Sequence, residues 1–504
     1  MTRKLRPQAW SAAPAALLLA LALSACGTRV SADAILSAEA GAPVAGQSGA
    51  VGVLQDPETG QVPVSPGAAV PSAPTGVAAP AGGSAAVAAP AGKPDAGGTP
   101  AAGGKATAGG TKAGAGTAIG GAKVGQAVSC AKPGPPIKLG QIGTFSGFIA
   151  TSVGQSRRAM QVWASYQNAN GGLACHPIQL TQLDDASDPT RANAAAKSLI
   201  NDTRIASFVG VFSPIAMSGV RDAVKGSGIP VVGGDGADPI WTTTPGIYDV
   251  GAAINSQVYL LNKAQADAGR KKVAIFYCVE ANSCTAGGAV AAGEGEYGAK
   301  AAGQQVVYKA SISATQPDFT AQCQSAKNAG ADNLFIATES TSLTRFMQSC
   351  DSLGYYPHIT TCGICMGFDV TNKTLQKFKV TAATPVFPYM RTQGVAEQTF
   401  ATAFQKYSPG QAPDHISAQA WTAGMMLQRA LELLGPEAQA QEITPAMVLK
   451  GLGLVKAETL GGLVSSTTYS PNQSNTTPNP CGSLLLFDKG TWQAASSRGF
   501  ACMR

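Results

Sequence analysis

From residue 137 onward the chain alternates short apolar runs with longer segments in which apolar residues recur every third or fourth position. The run Ile137-Lys138-Leu139-Gly140-Gln141-Ile142-Gly143 predicts a strand ending in glycine, and 156–168 predicts a helix closed by Gly171-Gly172. Strands are predicted over 178–183, 207–211 and 229–232, with helices over 189–201 and 216–225. The pattern then restarts. Strands are predicted over 272–277, 305–308 and 333–337, and helices over 287–301, 319–328 and 343–352. Later helices are predicted over 395–406, 416–434 and 445–452, and a last strand over 483–487. Repeated strand–helix pairs imply a parallel sheet covered on both faces. Two such series imply an α/β protein of two doubly wound lobes.

Before residue 137 the texture is different. Residues 40–128 are dominated by Ala, Gly and Pro, with few aromatics. Such a stretch cannot bury enough apolar area to offset its chain entropy, so it reads as a disordered tether. Gly114 to Gly120 superficially matches a dinucleotide-binding loop, but no strand precedes it. The first residues carry Arg3, Lys4 and Arg6, followed by an apolar run from Ala15 to Leu23 and then Leu23-Ser24-Ala25-Cys26. A basic start, a short apolar stretch and small residues form a secretory signal. The Leu-Ser-Ala-Cys ending resembles the bacterial lipobox, which implies a lipid-modified N-terminus at Cys26. No later run of about 20 apolar residues exists, so the expected membrane link is the lipid alone. The net charge of +7 is spread over 504 residues without a basic stripe, and nucleic acid is not an expected partner.

Several strings taken together resemble a known family. Ser146-Gly147 follows the opening strand, Asn168-Ala169-Asn170-Gly171-Gly172 ends the first helix, and Asp184-Asp185-Ala186-Ser187-Asp188-Pro189-Thr190 precedes the second. Phe208-Val209-Gly210-Val211-Phe212-Ser213 and Gly228-Ile229-Pro230-Val231-Val232 complete the series, and Trp421 and Ala430-Leu431-Glu432 fit a late helix. In this order and spacing, over roughly 137–490, the chain is similar to type I periplasmic binding proteins of the Leu/Ile/Val-binding branch of ABC importers. The resemblance implies two lobes joined by hinge strands that close on a solute. The expected division is a signal peptide at 1–25, a tether at 26–128, and lobe 1 at 129–253 and 387–460. Lobe 2 is expected at 254–386 and, with the C-terminal tail, 461–504. The implied partners are a small-molecule solute, an ABC permease, and the lipid bilayer through the N-terminal lipid at the outer face of the cytoplasmic membrane. Neither a cofactor nor a metal is expected, and the chain is not expected to be an enzyme.

Ligands of open α/β sheets bind beyond the carboxyl ends of the strands. That places Ser146, Ser213, Asp235, Gly236 and Ala237 on one side of the expected cleft, facing Glu280, Asn282, Glu339 and Gly363. Asp188-Pro189 reads as a helix N-cap with proline at the first helical position rather than as a catalytic carboxylate. Where the family uses an Ala-Thr pair on an amino-acid ligand, this chain has Gly236-Ala237. Where the family has Tyr-Gly it has Cys284-Thr285, and the family's acidic ammonium partner falls near Gly363. The expected ligand is therefore an amide, a small organic acid or an amino-acid-like molecule, and not a simple branched-chain amino acid. A sensing or adhesion lipoprotein without transport is the alternative. A hydrolase is disfavoured, because there is no Gly-x-Ser-x-Gly elbow and the three histidines are scattered.

Ten cysteines follow Cys26, an even number suited to disulfides in an exported chain. The expected pairs are Cys130–Cys175, Cys278–Cys284, Cys323–Cys350, Cys362–Cys365 and Cys481–Cys502. The lipobox gives a direct test at the other end of the chain. Replacing Cys26 by Ala should shift the protein from the membrane to the soluble fraction or block its maturation. An unchanged membrane fraction with correct processing would refute lipidation.

Overall fold

The structure is a computed structural model, and it describes residue 130 and residues 132–470, 479–496 and 499–503. The signal peptide, Cys26 and the tether lie outside the described residues. Two sheets organise the rest. The first contains β1 (Ile137–Gly143), β2 (Ile178–Asp184), β3 (Ser207–Val211), β4 (Val231–Gly234) and β5 (Ile247–Tyr248). They are all parallel, in the order β2-β1-β3-β4-β5. The second contains β6 (Lys272–Cys278), β7 (Gln305–Ile312), β8 (Asn333–Ala337), β9 (His358–Cys362), β10 (Val380–Thr384), β11 (Cys481–Asp488), β12 (Thr491–Ala494) and β13 (Phe500–Cys502). Strands β6 to β10 are parallel and β11 to β13 are added antiparallel at one edge.

Alternate residues of these strands feed different cores, as a pleated strand buried on both faces requires. Phe208 and Val231 pack on one face of the first sheet, Val209 and Val232 on the other. In the second sheet Phe276 and Ile336 lie opposite Ile275 and Phe335. The covering helices of lobe 1 are α1 (Ala150–Val153), α2 (Gln155–Ala169), α3 (Pro189–Ser198), α4 (Met217–Val224) and α5 (Ile240–Thr243). Lobe 2 follows with α6 (Ile254–Asp267), α7 (Asn282–Ala292), α8 (Thr320–Asn328) and α9 (Ser340–Ser352). Then α10 (Val395–Tyr407), α11 (His415–Glu432), α12 (Pro436–Ala440) and α13 (Pro445–Leu454) return to the first core. Asp188 caps α3 as expected: its side chain accepts from Thr190 N at 2.6 Å and Arg191 N at 3.2 Å, with Pro189 at the first helical position.

The chain crosses between lobes at Val250–Ala253 and Thr384–Phe387. Backbone bonds knit these crossings together: Ala252 N donates to Pro385 O at 3.0 Å and Ala253 N to Asn479 O at 3.3 Å. The return into lobe 2 does not fall at 461, because Leu463, Val464 and Tyr469 pack into the first core. The helix expected over 287–301 is also displaced. It begins at Asn282 and stops at Ala292, since Gly293, Gly295 and Gly298 favour turns over helix. Helix α6 and strands β9 and β10 were not foreseen. Val380-Thr381-Ala382-Ala383-Thr384 is too small and too mixed to announce a central strand by its apolar pattern.

Four expected disulfides are present, at Cys130–Cys175, Cys278–Cys284, Cys323–Cys350 and Cys481–Cys502. The fifth is not. Cys362 and Cys365 are thiols, with their Sγ atoms 2.8 Å apart and Cys365 donating to Thr338 O at 2.8 Å.

The packing of α3 on α4 yields a stability test. A Cβ on Gly219 would lie 1.9 Å from Pro189 O, a backbone atom that cannot step aside alone. Gly219→Ala should therefore destabilise the protein by roughly 1–3 kcal/mol. Urea unfolding reads this directly, and a midpoint unchanged from wild type would contradict the close approach.

Candidate functional site

The carboxyl ends of lobe 1's strands are held by carboxylates, of which Asp185 and Asp235 are buried. Asp184, at the end of β2, accepts from Phe145 N at 2.9 Å and from Ser146 N at 3.1 Å, and the Ser146 hydroxyl also donates to it. Asp185 accepts from Thr144 Oγ1 at 2.7 Å and from Ser213 Oγ at 2.6 Å. Asp235, after β4, accepts from Ser213 N, Ala237 N and Trp241 Nε1 at 3.0, 3.0 and 3.2 Å. Among the described residues no lysine or arginine makes an ion pair with any of them. Burial raises the Asp185 carboxyl above the usual range, despite the bonds from Ser213 and Thr144. It pushes Asp235 up to about 7, with Asp238 nearby adding repulsion.

Asp249 enters the hinge from β5. Its Oδ1 accepts from Val250 N at 2.8 Å, while Oδ2 is buried without a hydrogen-bond partner. Burial, with repulsion from Asp235, pushes its carboxyl up to about 8. Gly236 is required beside it: its φ is +62°, and a Cβ there would meet Asp249 Oδ1 at 2.8 Å.

Lobe 2 presents Glu280, the start of α7, the end of β8 and the turn after β9. Glu280 accepts from Ser313 Oγ at 2.6 Å and from Ala314 N. Burial alone would raise its carboxyl, but these bonds prevail and hold it below the usual range. Glu339 is the N-cap of α9, accepting from Thr341 N at 2.6 Å and from Ser342 N at 2.5 Å. Polar contacts between the lobes include Gln419 Nε2 donating to Thr384 Oγ1 at 3.5 Å. Ser152 Oγ and Ser340 Oγ are 2.7 Å apart, and Asn282 Nδ2 donates to Asp238 Oδ2 at 3.1 Å.

Between the lobes lies one cleft, and a second space adjoins it inside lobe 2. The cleft is walled by Phe148, Ile149, Pro214 and Ile215 from lobe 1 and by Glu280, Ala281, Glu339 and Ile364 from lobe 2. The second space runs beneath Ala237, its one lining residue from lobe 1, between α6, α7 and the end of β8, with Val258, Leu261, Phe335 and Cys362 in its wall. Ser283, Cys284, Thr338 and Ile364 line both. Thr338 Oγ1 is buried without a hydrogen-bond partner. Neither wall contains a lysine or arginine.

The residues expected to face a solute therefore divide. Ala237, Glu280 and Glu339 line the cavities, and Asn282 bridges the lobes instead. The polar groups of Ser146, Ser213 and Asp235 are committed within lobe 1, and Gly236 faces Asp249. Gly363 admits a helix rather than a solute: a Cβ there would meet Ala383 O at 3.2 Å and Gln419 Nε2 of α11 at 3.3 Å. Thr338, Ile364, Phe148 and the Cys278–Cys284 disulfide were not foreseen as lining. Thr338 and Phe148 sit at strand ends in the same positions that singled out Glu339 and Ser146, so position was a usable signal and residue polarity misled. Among the described residues no cluster of three or more His, Cys, Asp or Glu is placed to hold a metal, and no helix is long and apolar enough to cross a membrane.

Two parallel-sheet lobes with the hinge crossings between them and cavities at their facing strand ends define the two-lobed fold of type I periplasmic binding proteins. A family model described as periplasmic binding protein matches residues 136–477, and the chain belongs to that family. Among curated relatives it is similar to Leu/Ile/Val-binding protein homolog 7 of Brucella suis, 25% identical over 232 residues. The match covers 44% of this chain and 57% of that relative, so the chain spans little more than half the relative's length. Among solved structures it resembles a solute-binding protein of an R. palustris ABC transporter in complex with benzoate. The TM-score is 0.58 at 17% identity, covering 73% of this chain and 96% of that one. A leucine-binding protein from Thermotoga maritima aligns with TM-score 0.59 at 15% identity, covering 71% and 98%.

The two raised carboxyls make the fold pH-sensitive. Unfolded Asp titrates near 3.9, whereas Asp235 and Asp249 titrate at about 7 and about 8 when folded. The folded state thus holds more protons across that window, and stability falls as pH rises through it. Thermal melts should show a lower midpoint at about pH 8 than at about pH 5. Asp249→Asn should shrink that difference, and an equal or larger difference in the variant would refute the assignment.

Proposed function

We propose that this protein is a lipid-anchored, extracytoplasmic solute-binding protein that encloses one small molecule between its lobes and delivers it to an ABC permease. Residues 129–253 and 387–470 form one lobe in this reading, and 254–386 with 479–503 the other. The observation that carries it is the cleft at the facing strand ends, walled from both lobes, with a second apolar space adjoining it in lobe 2. The lining indicates the ligand's character. An ammonium taken from water into this space would need a free carboxylate, and a carboxylate would need a cation or free N–H groups. Glu339 and Asp235 are met by several donors within their own lobes, and Glu280 accepts from Ser313 and Ala314. The solute best suited has an apolar body and one or two neutral hydrogen-bonding groups, which Thr338 and Ser283 can meet. This replaces the expectation of a mainly polar molecule and keeps the expectation against a branched-chain amino acid. Solved relatives are named for leucine and for benzoate, each with an apolar body.

A thermal-shift panel of small amides, alcohols and aromatic compounds on the folded protein tests this, since binding to the native state raises the melting point. Thr338→Val should then weaken a binder by roughly three- to tenfold, the worth of one hydrogen bond of about 0.5–1.5 kcal/mol. Ile364→Asp should weaken it further. Micromolar binding of leucine, isoleucine or valine by calorimetry would overturn the ligand class. Binding unaffected by either substitution would overturn the site.

A further inference from the structure

Cys362 and Cys365 have no place in the scheme so far. They sit at the end of β9 and in the 3-10 turn that follows, Gly363–Cys365, at the carboxyl edge of lobe 2's sheet. Cys362 is half-buried and lines the space inside lobe 2, and Cys365 is buried behind it. Their Sγ atoms are 2.8 Å apart, so a small side-chain rotation brings them within bonding distance. A bond here would add little to the fold. Three of the bonded pairs span 45, 27 and 21 residues. A Cys362–Cys365 bond would close a single turn, and short loops remove little entropy from the unfolded chain. Such a pair is a weak staple in a position where its chemistry is felt.

What the chemistry would be felt by is Thr338. Its carbonyl accepts from Cys365 Sγ at 2.8 Å, and its hydroxyl lies buried and unpartnered in the wall of both cavities. The next residue, Glu339, caps α9 through the amides of Thr341 and Ser342. Oxidation removes the S–H donor and leaves the Thr338 carbonyl without that partner, which a buried carbonyl resists by moving.

We propose that Cys362 and Cys365 form a thiol–disulfide exchange site for low-molecular-weight disulfides, and that its oxidation state sets the position of Thr338 in the cavity wall. In the exchange Cys362, the more exposed of the two, gives up its proton as its sulfur attacks one sulfur of the external disulfide RSSR. The S–S bond breaks, one RS⁻ leaves and takes up a proton, and Cys362 is held as a mixed disulfide. The Cys365 thiolate then attacks Cys362 Sγ and expels the second RS⁻. Two electrons pass from the protein dithiol to RSSR, giving one intramolecular disulfide and two RSH. The consequence for a solute rests on the function proposed above, whereas the exchange itself involves no solute.

The test uses the whole chain in glutathione buffers graded from reduced to oxidised. Differential alkylation and mass spectrometry read each cysteine pair, and hydrogen–deuterium exchange reads the amides of 338–342. The Cys362/Cys365 peptide should pass reversibly from alkylated to bonded while the four other disulfides stay closed. Exchange at 338–342 should change at least about threefold with it. Cys365→Ser, which keeps a donor for Thr338 but cannot form the bond, should show no response of those amides to glutathione. A pair that stays reduced in oxidised glutathione, one that opens only when the other disulfides open, or one that oxidises with exchange at 338–342 unchanged would each overturn the proposal. Because no solute is added, failure to find a ligand for the cleft does not imitate any of these results.

Discussion

Carboxylates buried without cations govern the edge of lobe 1 that faces the cleft. Asp185 and Asp235 are nearly inaccessible, and among the described residues no lysine or arginine pairs with either. An unpaired charge in such a place costs several kcal/mol unless hydrogen-bond donors meet it. The donors come from the loops themselves. Thr144 after β1, Ser213 after β3, and Ala237 and Trp241 after β4 all converge on these two side chains. Each loop's shape is therefore fixed by its neighbours' need for donors, and the loops stand or shift together.

That solution determines the chemistry left over. N–H and O–H groups satisfying Asp185 and Asp235 cannot also hold the carboxylate of a solute. On the facing side Glu280 and Glu339 are consumed in the same manner, one by Ser313 and Ala314, the other by the first turn of α9. The cleft wall is mostly apolar, with Phe148, Ile149, Pro214, Ile215 and Ile364 beside the Thr338 hydroxyl and the carboxylates of Glu280 and Glu339. Those carboxylates are present in the wall but already bonded within their own lobe.

The same distinction explains what could be read from the sequence. The order of strands and helices, the two-lobe division, the Asp188 cap and four cysteine pairs were legible, because each rests on local periodicity or on the adjacency of sequential strands. Residue type at a strand end was also legible: Ser146, Ser213, Asp235, Glu280 and Glu339 do stand at strand ends. The hydrogen-bond allegiance of Ser146, Ser213 and Glu280 was not, because it depends on partners 22 to 38 residues away, whereas Glu339 caps its own helix through Thr341 and Ser342. Gly363 shows the limit in another way. Its role is to admit Gln419, a contact between lobes that no spacing along the chain announces. The missed strand β10 and helix α6 owe their places to tertiary packing at the hinge, which overrides weak local preference.

The hinge gives these facts a common energetic scale. Gly251, with φ +101°, brings its backbone so close to Pro385 that a Cβ would lie 2.2 Å from Pro385 O, and Ala252 N bonds the same carbonyl. The crossings are therefore tightly paired with each other, while the lobes themselves meet through the neutral Ser152–Ser340 contact and the Asn282–Asp238 bonds. Hydrogen bonds of this kind contribute about 0.5–1.5 kcal/mol each where water competes for both partners. Burying one aromatic or branched aliphatic group contributes about 1.5–3 kcal/mol. A solute that fills the apolar cavities thus supplies as much as the direct contacts do. On the function proposed above, contact between the lobes is a property shared by protein and solute, with Ile215 and Ile364 lining the cleft from its two sides.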